Sequence, residues 1–442
     1  MGKLHQYNIR EEFKEFLTDE NTKTTVAVLA VELVLQLFVT YKGMGRLYLP
    51  ITFMLMCFTA ICCGIAFRFK ADRYLLISVL VLLNLGFVVQ ALQVGNELKV
   101  DTFLWKFMVC ILGMGVGAVY KIWGKFLKGE RGLKLMMAVQ IAICLLMVTG
   151  GQEKYGAKIN FLGMTIFEVV KIMYLFVAVS LLCKPEEEKF SLLKLHISRE
   201  VLLIVYTGFL SVSFILCKEL GTLMVVLFTC AILLWIYGKN KTLNTILIVF
   251  SVITFLAVWV VCDQVLYPKL MAEELVLPGK IAQLVNRFGA ALNPERYYAT
   301  AGYQGTLGLE AIAMGGILGI QTERYRLLLP EAGNDFIFAN LVQTCGLLMG
   351  VIVLVLFFIV MCRGVKIATN CKDPYYQGIA MSVTTMIITE TLVHIGYNLA
   401  LFPITGIPCY FFSQGFSATA TGMMIVSVVL AISTGTIERS AE

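Results

Sequence analysis

A few residues able to do acid–base or charge-stabilising chemistry sit inside apolar stretches, where charge is not expected. Glu168 and Lys171 lie three apart within an apolar stretch, hence on one face of a helix. Glu390 and His394 lie four apart in another. A carboxylate beside an imidazole suggests proton handling, because histidine titrates near neutral pH; helix packing is the competing account. A charge in hydrocarbon costs about 2.5–3.5 kcal/mol on insertion scales, so each is expected to be paired or functional. For Glu168 and Lys171 the choices are a structural ion pair between helices or handling of substrate or protons. Lys218 and Glu219 separate two apolar stretches, as interfacial loop charges or as binding groups. Glu32 and Lys106 are single, and packing or snorkelling accounts for them. Asp335 stands where a long polar stretch meets a helix beginning at Phe336. It is either a first-turn carboxylate facing the helix dipole, with Asn334 as cap, or a chemical group. Arg287, Arg324, Arg326 and Glu331 in that stretch form a charged mouth, suited to an anionic lipid-linked substrate or to a charged partner protein.

The elements that must position these groups are membrane helices. The chain has 442 residues, 59% hydrophobic and 15% charged, against about 45–50% and about 25% in soluble domains. The apolar residues come in continuous blocks long enough to cross a hydrocarbon core of about 30 Å. Helices are the form that satisfies its own backbone there, and a β-barrel would show short alternating segments instead. The blocks are 24–41, 48–67, 74–93, 102–120, 135–150, 165–183, 200–217, 220–238, 243–262, 336–361, 376–400 and 408–434. The expected fold is therefore all-α, a polytopic integral membrane protein of about 12 transmembrane helices.

Basic residues alternate between connections, clustering before 24 and near 68–73, 121–134, 184–199, 239–241, 363–372 and 439. The positive-inside rule then puts both termini in the cytoplasm and the long stretch 263–335 outside. That stretch is too long for a simple connector. Its apolar, Gly-rich part from Leu307 to Ile320 could re-enter the membrane face. The net charge of +7 reflects these loops and gives no reason to expect nucleic acid. Most of the 13 cysteines lie in apolar blocks, so buried free thiols are expected rather than disulfides. The first 23 residues are polar and the first apolar block is long enough to remain as an anchor, so no cleaved leader is expected.

Six segments, in order, resemble a known family. Leu329-Pro330-Glu331-Ala332-Gly333-Asn334-Asp335-Phe336-Ile337-Phe338-Ala339 is similar to the "LPEAHTDFIFA" run of the SEDS proteins (shape, elongation, division and sporulation), which include RodA, FtsW and SpoVE. Arg287 with Leu292-Asn293-Pro294 resembles "R…FLNP". Gly302-Tyr303-Gln304 with Ala311-Ile312 and Gly315-Gly316 resembles "GYQ…AIGSGG". Gly156-Ala157 through Gly163, followed by Glu168 and Lys171, resembles "GARRWI..G" and "QPSE..K". Glu219-Leu220-Gly221-Thr222 resembles "PDLGT". Pro403-Ile404-Thr405-Gly406-Ile407-Pro408 with Ser413, Gly415 and Ser417 resembles "PVTGIPLPF.SYGGSS". The likeness spans about 72–435. It implies a SEDS-type bundle at 71–435 containing the outer loop 263–335. An added transmembrane hairpin at 24–70, a cytoplasmic segment 1–23 and a tail 436–442 complete the chain. Differences are also plain: Val342-Gln343-Thr344 replaces an acidic pair, and Glu390 and His394 stand where Gln and Asn are usual.

The resemblance implies a peptidoglycan glycosyltransferase that polymerises lipid II, the undecaprenyl-diphosphate-linked disaccharide peptide, at the outer face of the bacterial cytoplasmic membrane. The product serves elongation, division or sporulation, usually beside a class B penicillin-binding protein. Asp335 occupies the position of the family's essential aspartate. Such a carboxylate can take the proton of an acceptor hydroxyl. The departing diphosphate needs a cation, for which Arg287 comes first and Lys171, oriented by Glu168, second. Glu331, Lys218 and Glu219 are further substrate-binding candidates. No resident cofactor is expected beyond a divalent cation, Mg or Mn. An α-linked donor giving a β-linkage fits one inverting displacement, so one base suffices. Two rival readings are a non-catalytic scaffold regulating a penicillin-binding protein and a lipid-linked oligosaccharide flippase using the two in-helix pairs.

Overall fold

The computed structural model describes residues 19–39, 49–94, 100–154, 157–161, 164–183, 189–192, 195–289, 291, 294–300, 302–320 and 325–435. Fifteen helices carry the fold among them. The first five are α1 (Glu20–Val39), α2 (Leu49–Arg68), α3 (Arg73–Val94), α4 (Val100–Lys128) and α5 (Glu130–Gly150). Then follow α6 (Phe167–Leu182), α7 (Arg199–Leu216), α8 (Leu220–Tyr237), α9 (Lys241–Met271), α10 (Gly279–Phe288) and α11 (Tyr303–Gly315). The last are α12 (Ile337–Cys345), α13 (Leu347–Asn370), α14 (Pro374–Asn398) and α15 (Phe416–Ser433). Two antiparallel ribbons of short strands, at 152–165 and 189–198, lie in the connections flanking α6. They leave the fold an all-α membrane bundle.

Each of the twelve expected apolar blocks contains a helix. Ten helices are long and apolar enough to cross a membrane among the described residues. The apolar part of α4 is shorter, at Phe103–Gly117, and α6 has 16 residues, two of them Glu168 and Lys171. The block 336–361 is broken in two. Gly346 adopts φ +89°, and a Cβ there would lie 2.2 Å from the Ile317 carbonyl. The segment Gly316–Ile320 bonds into this break: Leu347 N–H donates to Gly316 O at 2.8 Å, and Ile320 N–H to Gln343 O at 2.9 Å. The stretch 263–335 is likewise built rather than loose. α9 runs on to Met271 through a π-helical turn at Cys262–Leu266. Pro268 has no N–H to return to the preceding turn, and a wide turn absorbs the missing bond. α11 then packs along α12, which is where the Leu307–Ile320 stretch goes.

α3 and α14 form the buried centre, while α9 is peripheral. α4 crosses α15 closely, with Gly113 and Gly117 backed onto Met423 and Ser427, the small-residue contact favoured between membrane helices. Glu32 on α1 neither snorkels nor reaches an end. It is buried, accepting from Thr59 of α2 at 3.1 Å and Asn84 of α3 at 2.5 Å. At the end of the bundle where α1 begins and α15 finishes, Arg363 bonds both Asp72 oxygens and Lys128 meets Asp373 at 2.5 Å. Asp335 lies at the opposite end, separated by the 24 residues of α13, about 36 Å at 1.5 Å per residue.

Candidate active site

The site is organised by one irregular segment, Pro403–Gly415, between α14 and α15. It touches most of the segments singled out in the sequence. On one side stands the Asp335 turn: Gln414 N–H donates to Gly333 O at 2.8 Å, and Ser413 Oγ to Asn334 O at 3.3 Å. On another is the start of α8, where a Cβ on Gly221 would lie 2.5 Å from Ile407 and 3.1 Å from Thr405 O. The start of α11 sits on Pro294, with Gly302 against its carbonyl and Gly305 between Pro294 and Ile404. α10 docks through Val285 and Phe288 into an apolar cluster with Leu220, Trp259 and Tyr267, packed by Phe402. This puts α10 in the cluster against which Phe402, just before that segment, packs; the Arg287 side chain is outside the described residues, as are Arg324, Leu292 and Asn293.

Asp335 is partly exposed, and its backbone is clamped. Asn398, at the end of α14, donates from Nδ2 to Asp335 O at 2.9 Å and accepts the Ala339 N–H on Oδ1 at 3.1 Å. Phe336 is fully buried against Tyr397, with ring centroids 6.3 Å apart. Opposite the carboxylate is Gly406, at φ +70°, where a Cβ would stand 3.6 Å from Asp335 Oδ2. Only glycine both tolerates that conformation and leaves the approach open. Glu331 is exposed, bonded by Asn334 Nδ2 at 3.1 Å, and sits at the rim. Lys218 and Glu219 are half-buried in the α7–α8 turn; Glu219 accepts from Thr222 Oγ1 at 3.0 Å.

Beneath this mouth the in-helix charges are rearranged relative to expectation. Lys171 is fully buried, and its ammonium is held 2.9 Å from Glu168 and in direct contact with Glu390 of α14. Its Nζ also lies 5.3 Å from the centre of the Tyr410 ring. Glu390 therefore serves Lys171 rather than His394. The imidazole turns the other way, Nδ1 lying 2.7 Å from Ile407 O and 2.8 Å from Tyr397 Oη. A carbonyl can only accept, so Nδ1 carries the proton and Nε2 is left buried with no partner. The reason is spacing across helices: residue 390 faces α6, whereas residue 394 reaches the Pro403–Gly415 segment.

Several residues take positioning roles that the sequence alone does not show. Lys106 does not snorkel; buried in α4, it donates to Gln90 Oε1 at 3.2 Å and Ser413 O at 2.9 Å, while Gln90 holds Phe412 O at 2.9 Å. Arg326 is not a free mouth charge. It bonds Leu92 O at 2.8 Å and Asn340 Oδ1 at 3.1 Å, tying α3 to α12. Where the acidic pair is replaced, Val342, Gln343 and Thr344 are all buried. Thr344 donates to Asn340 O at 2.8 Å and the Gln343 amide fits the Leu327 backbone, so these positions hold structure. Asp263, in the π-helical turn and bonded by Gln264, is a further buried carboxylate. Burial pushes the Cys409 thiol well up, so it stays neutral. No three of His, Cys, Asp and Glu stand together as a metal ligand set among the described residues.

Known proteins resemble this chain over most of its length. Stage V sporulation protein E of Bacillus subtilis (strain 168) is 27% identical over 376 residues, covering 82% of this chain and 96% of its own. Peptidoglycan glycosyltransferase RodA of Treponema pallidum (strain Nichols) is 33% identical over a shorter stretch of 146 residues, 32% of this chain and 34% of its own. A solved chain from a study of "structural coordination of polymerization and crosslinking by a peptidoglycan synthase complex" shares the fold with a TM-score of 0.60 at 20% identity, over 82% of this chain and 97% of that one. The family described as "Cell cycle protein", FTSW_RODA_SPOVE, matches residues 66–438; α1 and nearly all of α2 precede the match. The chain belongs to this FtsW/RodA/SpoVE family, the SEDS proteins.

Proposed function

We propose that the protein is a peptidoglycan glycosyltransferase that polymerises lipid II, with Asp335 as general base. The observation that carries this is the Asp335 carboxylate itself. Its backbone is clamped by Asn398, its approach is kept open by Gly406, and it lies at the rim of a helical bundle where a prenyl tail can remain in lipid. In this reading the acceptor hydroxyl gives its proton to Asp335 as its oxygen bonds the donor sugar carbon. The bond to the diphosphate breaks on the opposite face and the electron pair leaves with the phosphate. The linkage inverts, with no covalent enzyme intermediate. General-base assistance of this kind is worth roughly 10²–10⁴-fold. The diphosphate charge falls to Arg287 on α10 and Lys218 in the α7–α8 turn. Lys171, with two carboxylates already on it, serves as an internal brace. Glu331 and Glu219 shape the rim. A divalent cation, Mg or Mn, would arrive with the diphosphate.

The orientation follows from charge. Lys and Arg concentrate at the end holding Asp72, Lys128 and Arg363, so that end faces the cytoplasm with both termini and the Asp335 end faces outward. The setting is the bacterial cytoplasmic membrane, and the partner is a class B penicillin-binding protein that crosslinks the product. The test is a polymerisation assay with purified protein, its partner and labelled lipid II, with Asp335→Asn as control. The wild type is expected to make glycan and the variant none above background. No glycan from the wild type, under conditions where a known family member makes it, would leave the scaffold and flippase readings standing instead; equal product from both would remove Asp335 as the base.

A further inference from the structure

Away from the Asp335 end, two cavities meet at the opposite face of the bundle. The first is a groove of about 720 Å³ between α2, α4 and α15, lined among others by Phe53, Ile61 and Ile65 of α2, Ile111 of α4, and Leu430 and Thr434 of α15. The second is a pocket of about 480 Å³ lined among others by Lys70, Asp72, Arg73, Arg363 and Lys366. Ala71 lines both. Four cations against one carboxylate leave the pocket at +3. Arg363 is committed to Asp72, and Arg73 has an exposed contact with Glu20 at 3.4 Å, worth about 0–1 kcal/mol. Lys70 and Lys366 are exposed.

We propose that this pair of cavities binds one anionic phospholipid, its phosphate beside Lys70, Arg73 and Lys366 and an acyl chain along the α2–α4–α15 groove. Continuity favours a lipid over a partner helix. The apolar groove follows α2 from Phe53 to the helix end and on past Phe69 to Ala71, where it meets the basic pocket. An acyl chain with its charged headgroup fills an apolar groove and the polar pocket at its end together. The charge decides between an anionic and a zwitterionic headgroup, because a basic pocket at a membrane surface favours net negative lipid by about 1 kcal/mol, or about fivefold, per cation. Nearly all of α2 precedes the part of the chain that the family model matches, so the groove is formed where α2 meets that matched core. The leaflet follows from the orientation proposed above; the binding does not depend on it or on Asp335.

The test uses the full chain in nanodiscs, with bound lipid counted by native mass spectrometry after release, phosphatidylglycerol competing against phosphatidylcholine of equal chain length. The wild type is expected to retain one phosphatidylglycerol. Lys70→Gln with Lys366→Gln is expected to cut that preference about tenfold or more. Gly115→Leu fills the groove from a position with open space around its Cα and is expected to lose the lipid with both cations intact. Millimolar inorganic phosphate should not displace it. Equal retention of the two lipids, indifference to both variants, or full displacement by phosphate alone would overturn the proposal.

Discussion

Replacing Lys171 with Met removes the only cation from a buried group that then contains two carboxylates. Lys171, Glu168 and Glu390 are each almost completely inaccessible. At the 2.9 Å separation of Lys171 and Glu168, one such attraction is about 6 kcal/mol at an effective dielectric of 20. Desolvation cancels much of this in the intact cluster, but not once a partner is gone. Breaking a buried pair by removing one member costs about 3–5 kcal/mol. Lys171→Met is therefore expected to lose about that much in reversible unfolding from mixed micelles. Because the loss comes from stranded charge, adding Glu168→Gln and Glu390→Gln to Lys171→Met should recover most of it. If Lys171→Met unfolds within about 0.5 kcal/mol of wild type, or if the neutral triple variant is no better than the single, the reasoning fails.

Three further outcomes follow from the site. Asn398→Ala removes two hydrogen bonds that fix the Asp335 turn, worth roughly 0.5–1.5 kcal/mol each; it should lower kcat about tenfold or more with KM for lipid II little changed, and steady-state kinetics check the split. Gly406→Ala places a non-glycine at φ +70°, costing roughly 1–2 kcal/mol, and puts a methyl 3.6 Å from Asp335 Oδ2; polymer yield should fall while folding, followed by size-exclusion profile, persists. Lys106→Met leaves Gln90 and the Ser413 carbonyl short of a buried donor; the melting temperature should drop, and activity should fall with it.

Much of the bundle was legible because lipid imposes length and continuity on each apolar block. The failures share a physical cause. The break at Gly346 depends on the carbonyl of Ile317 approaching from a distant segment, and apolarity alone reads straight through it. Glu390 looked like the partner of His394 because spacing along one helix is visible, whereas its true partner Lys171 is 219 positions away. The partners of Lys106, read as packing or snorkelling, and of Arg326, read as a mouth charge, are not visible in the sequence because Ser413 O and Leu92 O are backbone atoms of no distinctive residue type. Asp335, by contrast, was found through the motif around it. Its clamp by Asn398 and its open side at Gly406 emerge only when the Pro403–Gly415 segment folds against it.

In the proposed mechanism the negative charge on Asp335 removes a proton during glycan formation. Single-turnover synthesis from bound lipid II by Asp335→Asn, measured beside the affinity of the same preparation for lipid II, isolates that charge without changing its shape. A rate loss of roughly 10²-fold or more with affinity kept within about threefold is the predicted result. An unchanged rate, or a rate lost only in step with binding, would contradict it.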